Sequence, residues 1–95
     1  GFELGRAYIV SGDSMWPVYE ERDLLFVKER EEPSRRPTKR PVIVKLREGA
    51  IFVKKLLPGT KRGRFHLLSV NPSAKTLDDQ SVEWIERIGW ILPAD

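Results

Sequence analysis

Two short segments carry side chains whose pairing would do chemistry. Ser14 lies in Ser11-Gly12-Asp13-Ser14-Met15-Trp16-Pro17, and 40 residues later Phe52-Val53-Lys54-Lys55-Leu56 supplies two adjacent lysines. A serine hydroxyl is a poor nucleophile until a nearby base removes its proton. The chain has a single histidine and no convincing serine-histidine-aspartate pattern, which leaves a desolvated lysine as the available base. A lysine at its ordinary pKa of about 10.4 keeps its proton at neutral pH, so it can act only where apolar surroundings disfavour the ammonium. Bringing the amine towards neutrality corresponds to roughly 4 kcal/mol of desolvation, which the rest of the fold has to offset. Gly12 before Ser14 and Pro17 after it favour a tight, non-helical turn at the end of the apolar run Ala7-Tyr8-Ile9-Val10. That turn sets the hydroxyl on an accessible edge. On an extended strand Lys54 shares a face with Phe52 and Leu56, while Lys55 shares the other with Val53 and Leu57. Both faces are apolar, so alternation does not choose between the lysines.

The elements that must position these residues read as short strands. Residues 6–10, 24–28, 42–46, 50–57, 65–70 and 88–92 are rich in β-branched, aromatic or leucine side chains, and glycines, prolines or charge clusters divide them. Nothing reads as a long helix. Residues 59–63 read as a hairpin loop joining the lysine strand to the next one, and Pro41 as the start of a strand, where its missing amide is tolerated. Residues 28–41 contain 9 charged side chains in 14, with Pro33, Pro37 and Pro41 interrupting any helix, and read as an exposed loop. Arg35, Arg36, Lys39 and Arg40, with Lys45 and Arg47 nearby, suit a phosphate or an acidic partner, but Glu29, Glu31 and Glu32 dilute the positive field. A solvated connector is the simpler reading. His66, between Phe65 and Leu67, reads as a strand residue, and Asp13 as a turn-former whose side chain bonds local amides.

Composition sets the outer limits. Ninety-five residues make one domain able to bury about 60 to 70 % of its unfolded surface. The absence of cysteine excludes disulfides, thiolate catalysis and thiolate zinc sites, and one histidine argues against a histidine-based metal site. The net charge of +3 is too small to indicate nucleic-acid binding by itself. No apolar run approaches the roughly 20 residues that span a bilayer, and Gly1-Phe2-Glu3-Leu4-Gly5-Arg6 is not a secretory signal, so no membrane partner is expected of this sequence.

Several blocks in fixed order resemble one family. Gly12-Asp13-Ser14-Met15, Pro17, Asp23-Leu24-Leu25-Phe26-Val27, Val53-Lys54-Lys55-Leu56 and Leu68-Ser69-Val70-Asn71-Pro72 are similar to the catalytic domain of LexA-type and phage-type repressors and UmuD-like proteins, over roughly residues 7–92. Bacterial signal peptidases resemble the first and fourth blocks, but their Asp-Ser-Arg type signature has no counterpart in residues 71–81. The resemblance implies a mainly β, LexA/signal-peptidase-like fold of short, coiled, mostly antiparallel strands. It implies Ser14 as nucleophile, Lys54 as general base with Lys55 turned to solvent, and an oxyanion hole made by the backbone amides of Asp13 and Ser14. Met15 and Trp16 are the candidate substrate-cleft residues, with Met15 packed beneath the turn; Trp84 and Trp90 are assigned to the core or a dimer surface. The mechanism requires neither metal nor organic cofactor.

The expectation is a serine-lysine peptidase domain over residues 1–95, of the kind found in LexA-like transcriptional repressors of the prokaryotic cytoplasm. It would act by autoproteolysis and dimerisation, with DNA bound only through a preceding helix-turn-helix region. Partners would be a second copy and a peptide segment, in cis or in trans. Self-cleaving relatives carry an Ala-Gly or Cys-Gly bond upstream of the serine; here neither pair occurs and 13 residues precede Ser14. The scissile bond is therefore expected in a preceding region or another chain. A signal-peptidase-like maturation protease and a catalytically silent dimerisation module are the alternatives. A second departure is Arg22, where a glycine usually precedes the aspartate.

Overall fold

The computed structural model describes residues 6–94; the opening segment read above as no secretory signal lies largely outside them. Six strands form: β1 (Ala7–Ile9), β2 (Leu24–Glu31), β3 (Val42–Leu46), β4 (Ile51–Pro58), β5 (Arg64–Leu68) and β6 (Leu77–Leu92). Every pairing is antiparallel, in the order β1-β2-β6-β3-β4-β5, and β5 returns to pair with β6. Strands β3, β4, β5 and β6 thus close into a ring, and β2 and β1 extend the sheet from the far end of β6.

The long β6 organises this topology. Its first residues pair with β5, its middle with β3 and its end with β2, and register breaks along each ladder let one strand bend between three partners. Only residues 88–92 of it read as a strand in the sequence. Residues 77–87 carry Asp78, Asp79, Gln80, Ser81, Glu83, Glu86 and Arg87, a composition that local propensity assigns to a loop, and tertiary pairing overrides that preference. Strand β2 likewise continues past residue 28 to Glu31, because Arg30 and Glu31 pair with Glu86 and Ile85 of β6. The remaining charged loop is mostly exposed, but Arg35 is committed: its guanidinium donates to the carbonyls of Gly59, Lys61 and Arg64 and straps the loop to the β4–β5 hairpin.

That hairpin spans residues 59–63, as the turn residues indicate. Gly59 is required there by close approach, since a Cβ would lie 2.8 Å from the Arg64 carbonyl and 2.6 Å from an Asp79 carboxylate oxygen. The Asp79 carboxylate accepts from the Thr60 N–H at 2.8 Å and from its hydroxyl, bonds that hold its pKa below the usual carboxylate range.

Two apolar cores result. Val42, Val44, Leu46, Leu56, Phe65, Leu67, Val82 and Ile85 fill the ring. On the other face of β3, Val10, Met15, Tyr19, Leu25, Ile43 and Trp84 form a second core beneath the segment that carries Ser14. Each fully buried side chain of this size contributes about 1.5–3 kcal/mol relative to exposure. β3 contributes to both, which is why Val42, Ile43 and Val44 are buried in succession without alternation, before Lys45 interrupts the run.

Candidate active site

Ser14 sits in a compact turn between β1 and β2. Gly12 enters it in the left-handed region (φ 81°), the Trp16 N–H donates to the Asp13 carbonyl at 3.0 Å and the Tyr19 N–H to the Met15 carbonyl at 2.9 Å. Met15 and Tyr19 are buried and pin the turn to the second core, so the half-buried Ser14 is carried on a supported backbone. Among the described residues the Asp13 and Ser14 amides donate no backbone hydrogen bond.

Asp23 closes the base of the turn. Its carboxylate accepts from the Ala94 and Glu20 amides, both at 2.9 Å, and these two bonds hold its pKa below the ordinary value. Arg22 takes the left-handed backbone conformation (φ 76°) at the position where the resemblance has glycine.

On β4, Lys54 falls on the covered face. It is 6 % exposed and Leu56 on the same face 1 %, whereas Lys55 is only half-buried. Burial pushes the Lys54 amine below the ordinary lysine pKa. Its Nζ donates to the Ser69 hydroxyl at 2.5 Å. Lys54 is the last β4 residue paired with β3, opposite Val42, and Lys55 the first paired with β5, opposite Leu68. The amine thus lies where β4 exchanges one partner for the other.

Ser14 and Lys54 line one cleft of about 270 Å³, together with Met15, Ile43, the Tyr8–Ser11 stretch and residues 51–53. Met15 is among the residues lining this cleft; Trp16 is not and projects outward, 53 % exposed. His66 lies elsewhere, on β5, with Nδ1 accepting from the Asp79 N–H at 3.1 Å. Among the described residues no three His, Asp or Glu side chains converge as a metal site requires.

The Peptidase S24-like family model matches residues 5–92. The chain belongs to this family. Its antiparallel, all-β architecture is consistent with the S24 fold and with the LexA/UmuD-type resemblance of the motifs. No curated protein and no solved structure matches the chain.

For an S24-like domain, the structure adds two groups of residues to which sequence reading assigned no role. Ser69 and Asn71 contact the lysine and the serine turn respectively: the Asn71 N–H donates to the Ser14 carbonyl and its Nδ2 to the Asp13 carbonyl, each at 2.9 Å. A signal for Ser69 was present, since it continues the Phe65/Leu67 stripe, and a hydroxyl in line with a buried apolar row requires a partner. The second group surrounds Glu86, fully buried on β6, which accepts from the Tyr8 hydroxyl at 2.6 Å and pairs with Arg6 and, at 3.7 Å, Arg30. Burial and that hydrogen bond push the Tyr8 pKa up. The cluster fixes β1, one wall of the cleft.

Proposed function

We propose that this chain is a serine-lysine peptidase domain in which Ser14 is the nucleophile and Lys54 the general base. The observation that carries the reading is the buried, pKa-depressed Lys54 amine lining the same cleft as Ser14. The neutral amine takes the Ser14 proton as Oγ attacks the carbonyl carbon of the scissile peptide bond. The tetrahedral oxyanion is met by the Asp13 and Ser14 amides, which are free of backbone acceptors among the described residues. The Lys54 ammonium then protonates the leaving amine, an acyl ester of Ser14 remains, and water deprotonated by Lys54 hydrolyses it. The cleft is at the small end of ligand-sized cavities, suited to one or two substrate side chains. Its walls include Tyr8 and Ile9 of β1 and residues 51–53 of β4, strand segments able to flank an extended peptide. In this reading the domain belongs to a LexA-type regulator that dimerises and binds DNA through a separate helix-turn-helix region.

The test is to incubate the longest form of the protein its gene encodes, alone and with a proteome-derived peptide library, between about pH 7 and about pH 10. Cleavage is followed by mass spectrometry beside Ser14→Ala and Lys54→Ala variants. Cleavage rises with pH as the Lys54 ammonium is lost, through a midpoint below the ordinary lysine value, and falls at least about 1,000-fold in either variant. Equal persistence of all substrates with the three proteins would leave a silent module instead.

A further inference from the structure

The three residues that follow β5 reach both halves of the site. Ser69 accepts from Lys54, and two residues later Asn71 binds the backbone on either side of the Ser14 Cα: its N–H donates to the Ser14 carbonyl and its Nδ2 to the Asp13 carbonyl. Val70 between them packs against the core that holds Met15. Asn71 is itself set by two local bonds, its Oδ1 accepting from the Ser73 N–H at 3.0 Å and its carbonyl from the Ala74 N–H at 2.9 Å. A peptide unit is planar and trans, so its C=O and the following N–H point in opposite directions. Holding the Asp13 carbonyl therefore fixes the aim of the Ser14 N–H, and holding the Ser14 carbonyl fixes that of the Met15 N–H.

We infer that Asn71 is a positioning residue: it locks the two peptide planes around Ser14, and through β5 and Ser69 it places the serine in the same frame as the Lys54 amine. The inference rests on the reading of Ser14 and Lys54 as a reacting pair. Asn71 is not among the residues lining the cleft; it acts through the backbone it holds. The geometry it maintains is that of the nucleophile and of one oxyanion donor together, so a loosened turn loses both.

The chain contains no cysteine, so Ser14→Cys places a single thiol at the nucleophile position. Its iodoacetamide alkylation rate against pH reports the thiolate, and a nearby Lys54 favours the thiolate whether as an ammonium or as an amine that takes the thiol proton. In the Ser14→Cys background, Lys54→Ala moves the alkylation midpoint up towards the free-cysteine value of about 8.5. Asn71→Ser is neutral, keeps a hydroxyl to accept from the Ser73 N–H, and is too short to reach the Asp13 carbonyl. It is expected to raise the midpoint in the same direction and slow alkylation at neutral pH roughly 5- to 10-fold, with the thermal midpoint near that of the parent. Asn71→Ala provides a second neutral variant should the serine variant fold poorly. A midpoint that moves with Lys54→Ala but not with either Asn71 variant overturns the positioning role alone. A midpoint indifferent to Lys54→Ala removes the serine-lysine pairing and this inference with it.

Discussion

The core inside the β3–β4–β5–β6 ring and the core beneath the Ser14 turn are made of different materials. The ring core is aliphatic apart from Phe65, and every member comes from a strand. The second core takes Met15 and Tyr19 from a turn, includes Trp84, and is bordered by buried charge. Lys54 meets it at the cleft, Glu86 holds the Tyr8 that packs against it, and Asp23 accepts the Val10 N–H on its backbone carbonyl. Arg30 stacks over Trp84 at 3.8 Å. Stability is generated in the first core and drawn on in the second. A closed ring of apolar strands tolerates a neighbouring region that desolvates an amine and a carboxylate, and the proposed serine-lysine chemistry would draw on that second region.

Truncation in each core sharpens the contrast. Phe65→Ala is expected to destabilise by about 3–5 kcal/mol, and Met15→Ala by about 2–5 kcal/mol, towards the lower end because a turn relaxes around a cavity more readily than a closed ring. Denaturant unfolding measures both. Only Met15→Ala should also lower cleavage per folded molecule; an equal drop in the two variants would erase the functional distinction between the cores.

Lys54→Met addresses the conflict directly. Burial lowers the folded-state pKa of Lys54, so the penalty of holding a buried ammonium is fully present below that folded value and is relieved as pH rises towards the unfolded value of about 10.4. The methionine variant should therefore be inactive and melt higher than the parent at neutral pH, with the gap narrowing under alkaline conditions. A lower melting point for Lys54→Met at neutral pH would mean that the lysine supports the fold rather than straining it.

The smallest expected effect concerns Arg22. A non-glycine residue in the left-handed region is strained by about 1–2 kcal/mol, part of which Arg22→Gly returns to unfolded-chain entropy, leaving a gain of up to about 1 kcal/mol. Chemical denaturation is sensitive enough to resolve it, and cleavage should be unchanged.

Much of the frame was legible because its signals are local. The turn around Ser14, the hairpin at residues 59–63 and the starts of β2, β3 and β4 follow from glycine, proline and runs of apolar residues within a few positions. Strand β6 was not, since the residues that make 77–87 a strand are on β3 and β5, far away in the chain. The role of Arg35 was hidden for the same reason: a guanidinium in a charged loop gives no local indication that three carbonyls of a distant hairpin await it.

Local residue patterns were enough to set a serine in a tight turn, a lysine pair on an apolar strand, and a β architecture throughout. Alternation defined two faces for that strand but not which would be covered, because coverage depends on what packs there from elsewhere. That the Lys54 face turns inward, that Ser69 meets its amine, and that Asn71 grips the backbone at Ser14 all depend on long-range packing. Turn and strand propensities act over a few residues; desolvation and hydrogen-bond geometry are set by neighbours that only folding brings together.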